Sequence, residues 1–96
     1  MRKSILLILL LISLNIKAQK TYIPDDAFEQ ALINLNLDDV FDDSVYTSAI
    51  DTILILYISN KGVTDLTGIE GFIQLSNLFC SGNQIIDLDL SNNSNL

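Results

Sequence analysis

Apolar residues open the chain as a block: Ile5 to Ile12 is unbroken, and Leu14 and Ile16 extend it past Ser13 and Asn15. Met1, Arg2 and Lys3 precede the block and Ile16-Lys17-Ala18 follows it, the parts of an export signal cleaved after Ala18. A membrane helix is the competing reading, but a twelve-residue run rises about 18 Å against a hydrocarbon core of about 30 Å. No stable membrane span is therefore expected after cleavage. No Cys comes directly after the block, which argues against a lipid anchor.

The next pattern has a helical period. In YIPDDAFEQALINLNL, Phe28, Ala31, Leu32 and Leu35 fall on one face, predicting a helix over about 23 to 36. Pro24 suits the first helical position, and Asp25, Asp26 and Glu29 set negative charge against the positive end of the helix dipole. Residues 37 to 50 break the period and read as a solvated acidic connector. From Ile53 the pattern becomes short and alternating, as in strands: Leu56 and Ile58, then Leu78 and Cys80, point inward while Tyr57 and Phe79 point outward.

That alternation is restated. LYISNKGVTDL (56 to 66) and LFCSGNQIIDL (78 to 88) align without a gap at an offset of 22, and seven of the eleven positions keep identity or apolar character. Such self-similarity outranks local propensity and predicts stacked coils of α/β class with short parallel strands. Val63, Leu66, Ile85, Leu88 and Leu90 are expected to line the return stretch of each coil. Asn83 stands where the chain leaves its strand, placed to hydrogen-bond backbone groups that the turn leaves unpaired.

The second unit, Leu75-x-x-Leu78-x-Cys80-x-x-Asn83-x-Ile85, resembles the leucine-rich-repeat pattern L-x-x-L-x-L-x-x-N/C-x-L. It departs at Cys80 and Ile85, which keep apolar bulk; the first unit departs further, with Lys61 in place of Asn. Beyond the pattern, YIPDDAFEQALINLNLDD, LTGIEGFIQLSNL and LFCSGNQIIDLDLSNNSNL are together similar to the start of secreted bacterial leucine-rich-repeat proteins of the kind common in Bacteroidota. The resemblance implies a right-handed leucine-rich-repeat solenoid whose helical cap covers the first coil. It divides the chain into a signal (1–18), a cap with acidic connector (19–52) and repeats (53–96). Leu96 follows Leu75 by 21 residues, as the first leucine of another coil would, so the chain is expected to be the N-terminal piece of a longer array. Residues 19 to 96 alone are then expected to be marginally stable or self-associating, since a solenoid needs about three repeats and a terminal cap.

Charge narrows the partners. Removing Arg2, Lys3 and Lys17 with the signal takes the net charge from −7 to −10 and leaves Lys20 and Lys61 as the only cations. An acidic surface repels phosphate backbones, so nucleic acid is not an expected partner. With one cysteine and no histidine, intramolecular disulfides, Cys/His zinc sites and His-based catalysis are excluded. The acidic connector carries Asp38, Asp39, Asp42 and Asp43, with Asp51 just after, but without EF-hand spacing, so no metal is assigned. Asp43-Ser44-Val45 and Asp51-Thr52-Ile53 resemble bacterial O-glycosylation acceptors, and Asn92-Asn93-Ser94 an N-glycosylation acceptor; each is short enough to arise by chance. Paired carboxylates hydrolyse glycosides without histidine, yet no aromatic-lined pocket is expected around these acids; no catalytic residue and no cofactor are assigned.

Candidate ligand-binding residues are those that face outward at the repeat offset: Tyr57 and Phe79, Ser59 and Ser81. Exposed aromatic pairs anchor protein partners; their bland role is to cover strand surface. Leu56, Ile58, Leu75, Leu78, Cys80, Asn83 and Ile85 are expected to be structural, with Cys80 a small apolar filler. The expectation is a secreted or cell-surface interaction module with a protein ligand first and a glycan second. The alternatives are an accessory region of a larger exported adhesin or hydrolase, or a truncated relic.

Overall fold

The structure, a computed structural model, describes residues 18–96. The export-signal reading rests on residues outside that range. No helix among the described residues is long and apolar enough to cross a membrane.

The described chain begins with strand β1 (Lys20–Tyr22), then helix α1 (Asp26–Asn34). Asp25, not Pro24, governs the helix start: its backbone is extended and its Oδ1 accepts from the Phe28 N–H at 2.9 Å. Pro24 therefore lies outside the helix, one residue before the cap, which corrects the placement expected from sequence. The helix ends in a Schellman motif. Asn36 is left-handed at φ 61°, its N–H bonds Ile33 O, and the Leu37 N–H reaches back to Leu32 O at 2.9 Å.

Phe28, Ala31 and Leu32 are buried, as the period requires, but Leu35 is 41% exposed. It sits at the C-cap, where the helix has already left its core-facing path. The inner position taken instead is Glu29, fully buried because the connector folds over it. Its two carboxylate oxygens accept the N–H groups of Asp42 and Asp43 at 3.1 and 2.9 Å.

The connector is not wholly a solvated loop. Ser44–Tyr46 forms β2, antiparallel to β1 with Thr21 opposite Val45, and Thr47–Ile50 forms the short helix α2. Val45 and Ile50 are buried; burial of these two apolar residues orders a segment whose acidic composition masks them. Lys20 Nζ fastens the sheet, 3.1 Å from Asp42 Oδ2 and 4.7 Å from the Tyr46 ring centroid.

Two further strands, β3 (Ile55–Tyr57) and β4 (Asn77–Phe79), are parallel, with Leu56 opposite Leu78 and Tyr57 opposite Phe79. This register is the 22-residue offset of the sequence. It recurs away from the strands: Asp65 pairs with Asp87, Asn60 N–H bonds Ser81 O, and Gln84 N–H bonds Val63 O. A 3₁₀ turn at Ile69–Gly71 lies 22 residues after α2, so the return side of the coil also repeats.

One core joins these elements. Phe28 from α1 approaches Phe72 of the coil at 6.3 Å between ring centroids, among Ile23, Val45, Ile50, Leu56, Ile58, Val63, Leu66, Ile69 and Leu75. Gly68 fixes the closest approach of coil and N-terminal segment: its φ is 107°, and a Cβ there would stand 2.6 Å from Tyr22 O. Of the expected return residues, Val63 and Leu66 are buried and Ile85 and Leu90 partly so, whereas Leu88 is 43% exposed. Leu88 belongs to the last described coil, which has a stacked neighbour on one side only among the described residues.

Candidate functional site

Strand alternation sorts β3 and β4 into two faces. Leu56 and Ile58 are buried, and Leu78 and Cys80 pack partly buried against the same core. Opposite them Tyr57 is 59% exposed and Phe79 45%, their rings stacked at 4.8 Å between centroids with planes 9° apart. The spacing is that of neighbouring strands, so the backbone register itself builds the stack. Ser59 and Ser81 come together one strand step further, with hydroxyls 3.4 Å apart. All four outward candidates thus lie on one face in two rows.

Sequence reading missed one member of this face. Ile55 precedes Tyr57 on the same side of β3, opposite Asn77, and is about half exposed. Strand alternation is the signal that finds it, but the apolar run Ile53-Leu54-Ile55-Leu56 conceals which residues alternate. With Ile55 the face carries three large exposed apolar side chains on regular backbone.

Two polar side chains hold the face in position. Asn83 donates from Nδ2 to Ile58 O at 2.7 Å and Cys80 O at 2.8 Å, and its Oδ1 accepts the N–H groups of Lys61 and Val63 at 2.9 and 3.1 Å. Asn83 therefore closes its own turn and that of the preceding coil, where Lys61 replaces Asn. Asp25 ties the other flank. Beyond capping α1, its Oδ2 accepts from Thr64 N–H, Thr64 Oγ–H and Asp65 N–H, each at 3.0 Å. Burial works to raise the Asp25 carboxyl, but these bonds and that from Phe28 outweigh it, and it is held below its usual range.

A third amide lies deeper. Asn93 is buried, and its Nδ2 donates to Ile69 O and Phe72 O at 2.9 and 3.0 Å. It closes the return turn as Asn83 closes the strand turn, a role that reading 92–94 only as a glycosylation pattern overlooks. Cys80 is a free thiol whose counterpart in the preceding coil is Ile58, so the two coils do not stack cysteine on cysteine.

The acids gather in one place. Glu29, Asp38 and Asp42 bring carboxylate oxygens within 4.8 Å of one another, the one group among the described residues with the makings of a cation site. Most of its oxygens are engaged: both of Glu29 by backbone N–H groups, Asp42 by Lys20 and Ser44, and Asp38 Oδ1 by the Asp39 N–H, whereas Asp38 Oδ2 is buried without a hydrogen-bond partner. Burial first, and the adjacent Asp38 second, push the Glu29 carboxyl above its usual range.

No protein-family model matches the chain, and a search of curated proteins finds no match. Solved structures do match. The functional domain of InlJ from Listeria monocytogenes, described as including a cysteine ladder, is 34% identical with a TM-score of 0.67 over 83% of this chain and 19% of that one. An internalin (inlF) from Listeria monocytogenes is 28% identical, TM-score 0.69, over 78% of this chain and 22% of the other. The CBM51-2 and INT domains of ZmpB from Clostridium perfringens are 26% identical, TM-score 0.70, over 82% and 16%. The chain thus spans about a fifth of the length of the proteins it matches. The in-register coils, together with these neighbours, make the fold leucine-rich-repeat-like, similar to that of Listeria internalins.

Proposed function

We propose that this chain is an exported interaction module, secreted or held at the cell surface, that binds a protein on the outward face of β3 and β4. The carrying observation is the exposed Tyr57–Phe79 stack, flanked by Ile55 and the Ser59–Ser81 pair, on strands fixed in register. Paired aromatic anchors with hydroxyls at their margin are the composition of protein-binding hot spots. The aliphatic Ile55 beside the pair favours an apolar protein surface, with a glycan as the second ligand class. Likeness to the internalins supports a binding module over an enzyme. The resemblance of residues 21 to 96 to secreted Bacteroidota proteins, and the signal pattern of 1–18, support export.

Within this reading the chain is the opening of a right-handed solenoid. Residues 19–52 act as its cap: α1 closes the end of the first coil, and the Asp25 bonds to Thr64 and Asp65 are the clasp.

A photo-crosslinking residue at Ser81, compared with one at exposed Gln74, tests the assignment in the intact exported protein. A polypeptide adduct formed at 81, absent at 74 and lost on Phe79→Ala, is expected. Adducts that carry glycan without polypeptide, or equal yields at both positions, would overturn it.

A further inference from the structure

Phe79 covers one face of the Tyr57 ring. On the side turned toward α1, Tyr57 lines a slot of about 340 Å³ to which Phe79 does not contribute. Ala31, Asn34 and Leu35 from the end of α1 form the opposite wall, and Ser59 and Lys61 continue the wall of Tyr57. Leu35, which left the core face of its helix, is part of the opening. Lys61 is the charged residue at the slot. The single ion pair among the described residues joins Lys20 to Asp42, so Lys61 has no carboxylate partner.

We infer that the slot takes an aromatic side chain of the partner protein, with a carboxylate on the same or the next residue held by Lys61. This deepens, and rests on, the reading of the outward face as protein-binding. Two apolar walls, the Tyr57 ring on one side and Ala31 with Leu35 on the other, match a flat apolar guest. Seated there, the guest ring becomes the third member of a stack running Phe79, Tyr57, guest. Its polar edge meets the Ser59 hydroxyl and the Asn34 amide. Charge complementarity fixes the rest: on a surface otherwise acidic, the Lys61 ammonium, without a carboxylate partner among the described residues, selects an anionic group.

The test is an NMR titration of the whole exported chain with three probes: N-acetyl-L-tyrosine, N-acetyl-L-tyrosinamide and methyl β-D-glucopyranoside. The tyrosine probes are expected to shift the Leu35 methyl and Tyr57 ring signals. The carboxylate form should bind about two- to fivefold more tightly than the amide, the range of an exposed ion pair. Lys61→Met, at an exposed position that does not threaten folding, is expected to erase that difference. Tyr57→Ala should weaken both tyrosine probes at least about tenfold. Unmoved Leu35 and Tyr57 signals, or shifts with the glucoside but not with tyrosine, would overturn the inference. Crosslinking at Ser81, which lies outside the slot, judges the protein-binding reading separately.

Discussion

Asp25 serves two elements at once. One carboxylate oxygen caps α1 and the other gathers three donors from a segment 39 and 40 residues away. Asp25→Ala therefore removes a helix cap, about 0.5–2 kcal/mol in itself, and also unties the helix from the coil. We expect a loss of about 1–3 kcal/mol by urea denaturation, with Asp25→Asn in between. Because folding lowers the Asp25 pKa, its stabilisation is present above the ordinary value of 3.8 and is lost as pH falls through the lowered one. Glu29 has the opposite sign. Its raised pKa means stability is greatest below the ordinary 4.5 and falls as pH rises through the raised value. Denaturation midpoints from pH 3 to pH 7 should show both limbs. Asp25→Asn should flatten the acid limb and Glu29→Gln the other; an unchanged profile in either variant would contradict the assigned cause. Sequence placed Asp25 in the helix start, where dipole and capping preferences put acids. Its second bond set was not legible, because no local rule links position 25 to position 64. The burial of Glu29 was equally hidden, since a carboxylate enters a core only when a distant segment brings it N–H partners.

At the scale of elements, periodicity read well where one face is buried and poorly where a segment is short. The alternation in 56–58 and 78–80 placed Leu56, Ile58, Tyr57 and Phe79 on their observed faces, because a two-residue period leaves no other choice once one face is apolar. β1, β2 and α2 were missed. Each spans three or four residues and, unlike the equally short β3 and β4, is not picked out by a repeat read in the sequence, and acidic neighbours hid Val45 and Ile50. The coil turns depend on side-chain amides. Asn83→Ala would strand the carbonyls of Ile58 and Cys80 and free the N–H groups of Lys61 and Val63. A destabilisation of about 1–3 kcal/mol is expected. Hydrogen exchange should quicken at the Lys61 and Val63 amides, which lie in the coil before the substitution. Exchange confined to residues near 83 would mean that the amide serves only its own turn.

At the scale of the whole molecule, two units offset by 22 residues pair in register and share one core with an N-terminal segment of different pattern. The repeat was the most legible feature of the sequence, because stacked coils must present the same apolar column at the same interval. The face it creates was legible only in part. Tyr57 and Phe79 emerge from alternation alone, but their parallel stack, the contribution of Ile55, and the slot that Leu35 opens toward Tyr57 need the packed backbone. Under the proposed reading the overall charge and the local face would contribute differently: the acidic surface would set approach and salt dependence, and the aromatic pair, once covered by a partner, the lifetime of the complex. The central claim is that this pair anchors a protein. Its most direct test is the affinity of the intact protein for the polypeptide crosslinked at position 81, measured for wild type and for Tyr57→Ala with Phe79→Ala. The double variant should bind at least about a hundredfold more weakly, two hot-spot side chains at about 2 kcal/mol or more each, while keeping its helical circular dichroism. An affinity within about threefold of wild type in a folded double variant would contradict the account.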